Sequence, residues 1–119
     1  MAKRSTKLRL TFNAPVTLCF CAVCFAVTLL GYLGINAIDS TFAVYRAPLS
    51  EPMTYLRFFT HVFGHGGWSH FLGNACYLLL LGPMLEEKHG SKLLIIAMVI
   101  TAFVTALINF IFFPGVALL

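Results

Sequence analysis

Apolar residues fall into two long runs and one short one, with polar positions gathered at the ends of each. Pro15 to Ile35 and Leu93 to Phe113 are each 21 residues without a charge, and Asn109 is the only strongly polar side chain in the second. A helix of about 20 apolar residues spans a hydrocarbon core about 30 Å thick, so both runs predict membrane-spanning helices. The third run, Phe71 to Leu85, has 15 residues, and as a helix it reaches only roughly 22 Å. To span, it must draw length from the histidine-rich stretch before it, from Glu86 and Glu87 after it, or from both. The predicted order is a basic tail (1–14), a first spanning helix (15–35), a loop (36–67), a second helix (68–87), a tight turn (88–92) and a third helix (93–113). Pro114-Gly115 then turns the chain, and residues 116–119 are apolar again.

The loop is not a plain polar linker. Residues 36–52 carry the Pro, Ser, Asp and Asn of turns. Residues 53–63 set Tyr55, Phe58, Phe59, Val62 and Phe63 against Thr54, Arg57, Thr60 and His61. Aromatic rings beside an arginine whose stem lies on apolar surface suit the headgroup region. The pattern places this segment in the membrane interface, as an aromatic anchor or as part of a site.

Composition agrees with that architecture. The chain is 60% hydrophobic and 10% charged, with a mean hydropathy of +0.91, whereas a soluble domain is about a quarter charged. The expected fold class is therefore an all-α polytopic membrane protein. A cleavable signal peptide does not fit the first run, which exceeds the usual apolar region of about 7 to 15 residues and lacks an A-x-A-like site after it. Lys3, Arg4, Lys7, Arg9, Lys88 and Lys92 fall on one side if the N-terminus is cytoplasmic, leaving Arg46 and Arg57 on the other. The positive-inside rule selects that orientation. It also accounts for the net charge of +4 without a nucleic-acid partner. Cys19, Cys21, Cys24 and Cys76 all lie within apolar helices and read as small packing residues. Cys19 and Cys21 point about 200° apart on a helix, and no fourth ligand lies near in sequence.

The chemistry gathers at the mouth of the second helix, in HVFGHGGWSHFLGN (61–74). His70 and Asn74 are four apart and share a helical face. Ionisable and amide groups at membrane depth face a cavity or the bundle interior and are functional candidates. A zinc site on His61, His65 and His70 lacks the glutamate that H-E-x-x-H requires, since Val62 stands in that place. Gly64, Gly66 and Gly67 also break any continuous helix through these histidines. Ser69 and His70 are adjacent and point about 100° apart, so they do not form a nucleophile–base pair. G-x-S-x-G is absent from the chain. Two readings stay open: donors to a developing oxyanion, with the nucleophile on another helix, or a polar pair holding two helices together.

The ordered series Arg57-Phe-Phe-Thr-His61, His65, His70-x-x-x-Asn74, Leu81-Gly82 and Glu86-x-Lys88-x-Gly90-Ser91 resembles the first half of the rhomboid family of intramembrane serine proteases. The series runs over about residues 55 to 92 without gaps; H-x-x-x-N alone is a weak signal, and the whole is specific. The resemblance implies a six-helix core of which the first three helices are present. It implies that His70 and Asn74 help form an oxyanion hole, that Arg57 anchors the outer loop, and that His65 lies near the catalytic cavity. Glu86 and Gly90 would support helix ends and packing on the inner side. The family's nucleophile is a serine in G-x-S-G on a fourth helix and its base a histidine on a sixth, and neither is in this sequence. Pro83 stands where a second glycine is common.

The reading that follows is the N-terminal half of a serine endopeptidase that cleaves transmembrane protein substrates in the bilayer. It has no metal and no cofactor, sits in a bacterial inner membrane, and is inactive alone. It expects the chain to continue into a helix opening with G-x-S-G. A rhomboid-like protein that binds membrane clients without cutting them, and a small three-helix scaffold complete as written, are the alternatives.

Overall fold

The computed structural model describes residues 13–35 and 37–119; the basic residues Lys3, Arg4, Lys7 and Arg9 lie outside them. The described chain is helical, in the order α1 (Pro15–Tyr32), α2 (Ala37–Phe42), α3 (Pro52–Thr60), a 3₁₀ turn (His61–Phe63), α4 (Trp68–His89) and α5 (Ser91–Phe112). Its extended backbone pairing is an isolated antiparallel bridge between Val44 and Leu118, closed by N–H···O bonds of 2.9 and 2.8 Å.

Helix α1 starts on Pro15, where a missing N–H costs nothing. It stops three residues short of the apolar run that predicts it. Gly34 has φ +83°, its N–H bonds the Gly31 carbonyl, and the Ile35 N–H reaches back to Leu30. This is the paired closure of a Schellman end, and it fixes the helix terminus at Tyr32. α4 and α5 extend beyond their apolar runs towards each other, so the turn predicted over 88–92 shrinks to Gly90, at φ +85°. Lys88 and His89 sit in the last turn of α4, where their charge and donors suit the exposed carbonyls.

α1 lies against α4, and α3 lies against α5. The first contact is closest at Gly82. A Cβ built there would stand 2.5 Å from Thr17 Cγ2 and 2.7 Å from its Oγ1. The second contact is aromatic: the Phe58 ring meets Phe103 and Phe110 at 6.0 and 5.5 Å, and Phe59 stacks on Phe103 at 5.8 Å. Val44, Phe58 and Ala106 form the buried cluster at this end, with Phe110 and Leu118 packed on it.

α1 and α5 are long and apolar enough to cross a membrane, with mean hydropathies of 2.0 and 2.6 over their best windows. α4 runs unbroken through Pro83 for 22 residues, yet it carries Glu86, Glu87 and Lys88 within its length. Most large apolar side chains of α4 and α5 face outward, among them Leu80, Leu81, Ile100 and Ile108. An outward apolar surface of that extent belongs in lipid or against further helices.

Candidate functional site

The histidine-rich stretch adopts three local structures in succession. His61–Phe63 is a 3₁₀ turn, residues 64–67 are irregular, and α4 opens at Trp68. Gly67, at φ +153°, makes the reversal, a conformation that an L side chain rarely takes. Gly64 is needed for space instead: a Cβ there would stand 2.5 Å from the Phe42 carbonyl oxygen.

Because of this break, His65 folds back onto the first turn of α4. Its ring meets His70 edge-on at 5.3 Å and Phe71 at 5.5 Å. His65 Nδ1 lies 3.2 Å from the Phe63 carbonyl oxygen. A carbonyl only accepts, so Nδ1 carries the proton and Nε2 keeps its lone pair. Burial lowers the His65 pKa, with repulsion from His70 adding to the effect and the Phe63 bond opposing it. His61 is only 4% exposed and its Nδ1 has no partner among the described residues. Burial likewise lowers its pKa, with the Arg57 and Phe58 backbone opposing the effect.

His70 and Asn74 both lie on the open side of α4. Asn74 borders a cleft of about 400 Å³, walled by His61 and His65 on the loop and by Met98, Thr101 and Thr105 on α5. His70 is not among the residues that line it; its ring meets the lining residue His65 edge-on at 5.3 Å. Neither His70 nor Asn74 bonds another helix among the described residues, so nothing there supports a role as glue within this group of helices. Asn74 alone of the two faces the cleft.

The remaining residues singled out by the sequence lie elsewhere. Arg57 is 8% exposed; its Nε donates to the Ser40 carbonyl at 2.7 Å, and its guanidinium lies 4.5 Å above the Tyr45 ring. It fastens α3 to the segment before it, and Nη1 is buried without a partner among the described residues. Glu86 is buried at the far end of α4. It accepts from the Val16 and Thr17 backbone N–H groups and from the Thr17 and Ser91 hydroxyls at 2.6 to 3.0 Å. α1 has no capping side chain of its own, and this carboxylate does that work from another helix. Gly90 joins the two helices and donates its N–H to the Glu86 carbonyl at 2.8 Å.

Thr17, Ser91 and Tyr45 are partners that the sequence reading did not single out. Ser91 was within reach of it, as a hydroxyl five residues after a carboxylate and just past a glycine. Thr17 had no local signal, because its partners are about 70 positions away. The four cysteines are free: Cys24 is buried, with its thiol 3.7 Å from the Val62 carbonyl, and Cys19 and Cys76 are exposed.

A family model described as the Rhomboid domain matches residues 52–118, more than half of the chain. No curated protein matches it.

Proposed function

The chain belongs to the rhomboid family, and from that premise we propose that His70 and Asn74 are the oxyanion donors of an intramembrane serine endopeptidase. Members of this family are serine proteases of the membrane that act on transmembrane substrates in the bilayer, and the apolar helices agree with a membrane protein. The observation that supports the assignment is the pair itself: two side chains four residues apart on α4, without hydrogen-bond partners among the described residues, Asn74 bordering a cleft of about 400 Å³ and His70 against His65, which lines it.

In the proposed reaction a serine oxygen adds to the scissile carbonyl carbon, and the carbonyl oxygen becomes an oxyanion. The Asn74 amide N–H and a His70 ring N–H donate to that oxygen. The serine proton passes through a histidine base to the departing amine, and water then releases the acyl group by the same route. Each positioned donor is worth about 3 to 4 kcal/mol at the transition state. The 119 residues contain no G-x-S-G, so the serine and its base belong to a segment outside this sequence, packed against the open face of α4. These residues alone hydrolyse nothing.

The proposed topology has a cytoplasmic N-terminus, residues 36–67 outside, residues 88–92 inside and three spanning helices, in a bacterial inner membrane. In this reading Arg57 anchors the outer loop, His65 lies beside the donors, and Glu86 and Gly90 support the helix ends on the inner side.

The test is a pair of measurements on His70→Ala and Asn74→Ala, made in a form that carries the serine helix. The expected loss is about 10²- to 10³-fold in kcat for either variant, with the melting temperature nearly unchanged. A lowered melting temperature with the folded fraction turning over at the wild-type rate assigns the pair to structure instead. The alternative reading is a rhomboid-like protein that holds transmembrane clients without cutting them. Covalent labelling of the full-length protein by a fluorophosphonate separates the two.

A further inference from the structure

His70 is exposed on the open side of α4 and has no hydrogen-bond partner among the described residues. An exposed imidazole on a helix samples several rotamers. A donor to an oxyanion works best when its orientation is fixed before reaction. Something must supply that order, and among the described residues one aromatic ring meets it: His65, edge-on at 5.3 Å with an interplanar angle of 67°.

His65 is itself held by two contacts. The Phe63 carbonyl accepts from its Nδ1 at 3.2 Å. The Phe71 ring meets it at 5.5 Å and 86°. Phe71 in turn packs against Phe25 and Trp68 at 5.9 Å each, which ties the arrangement to α1. The reversal at Gly67 brings a loop histidine over the first turn of α4, and a Cβ there would find open space. The backbone conformation, rather than room, calls for glycine at that position.

We propose that His65 is a positioning residue: seated against the Phe71 ring, its own ring restricts His70 to the rotamer from which it donates. The catalytic consequence rests on the oxyanion reading of His70, whereas the restriction itself does not. Two features of His65 are separable by substitution. His65→Phe keeps an aromatic edge against His70 and loses the bond to Phe63. His65→Asn keeps a donor at the Nδ1 position and loses the ring.

The experiment uses this chain in phospholipid nanodiscs with selectively labelled histidine. Its four histidines are assigned by single substitution, and the side-chain couplings of His70 report its rotamer populations. The expected result is one dominant His70 rotamer in the wild type, averaging in His65→Ala and His65→Asn, and one dominant rotamer again in His65→Phe. Nitrogen shifts should show His65 protonated at Nδ1. A His70 ring that already averages in the wild type, or that stays fixed in His65→Asn, overturns the proposal. The wild type and the two conservative variants decide the matter even where His65→Ala does not fold. In a form carrying the serine helix, His65→Ala should lower kcat by about two- to twelve-fold, the size of one edge-to-face aromatic pair, with KM kept and His65→Phe restoring the rate. Full kcat in His70→Ala would end the oxyanion reading while leaving the rotamer result standing, so the two failures are distinguishable.

Discussion

His61 and His65 give this molecule a pH dependence whose sign follows from their burial. Both hold their pKa values below the ordinary one, because the loop around them disfavours the charged ring. In the unfolded chain each takes up a proton near about pH 6.5, and in the folded chain only at lower pH. Below about 6.5 the unfolded state therefore binds more protons, and stability falls as pH falls. Above that point these two residues contribute no slope. Thermal unfolding from about pH 7.5 to about pH 5.5 should show a flat stretch followed by a decline, and His61→Phe should make the decline shallower. A melting temperature that rises on acidification would show that the loop stabilises the charged rings instead. Arg57, also buried, poses no such question, since guanidinium stays charged throughout; the Ser40 carbonyl and the Tyr45 ring face its charge.

At the level of elements, the α1–α4 contact turns on one missing methyl group. Gly82 lets the Thr17 side chain lie where a Cβ would intrude at 2.5 Å. Thr17 cannot easily withdraw, because its hydroxyl and its backbone N–H both bond Glu86. Gly82→Ala should therefore destabilise by about 1 to 3 kcal/mol, the range for overpacking a well-filled contact. Adding Thr17→Ser removes the nearer methyl and keeps the hydroxyl, so the double variant should recover part of the loss in a melting experiment. Equal melting temperatures for the single and double variants would place the strain elsewhere. None of this pairing was legible in the sequence, where Gly82 stood out only through its family motif and Thr17 not at all. α2 and α3 lie in the stretch read as a loop, whereas the three long helices were legible as apolar runs. Their ends were not, because they are decided by backbone detail. Gly34 closes α1 before its run is exhausted, and Lys88 and His89 look like turn residues but lie in the last turn of α4, where the Lys88 charge is favourable.

For the whole molecule, the histidine–asparagine pair was readable because its spacing is local, and its openness was not, because that depends on which faces α1 and α5 leave uncovered. The orientation in the membrane rests on the distribution of lysine and arginine, and it predicts that Ser50, exposed in the loop, is outside. With the native cysteines removed, a cysteine at position 50 should react with a membrane-impermeant maleimide from the outer face; reaction from the cytoplasmic face alone would invert the topology. The Glu86 carboxylate has a last consequence, in time rather than space. The amides it caps are 70 and 69 residues earlier in the chain. At a synthesis rate of roughly 5 to 20 residues per second, about 4 to 14 seconds separate the making of the start of α1 from the making of its cap. During that interval the newborn helix has only water or lipid headgroups to satisfy its first amides. Ser91 is made five residues after Glu86, so the wait ends for both helix starts almost together, and the α1–α4 contact closes only once α4 has been made, well after α1.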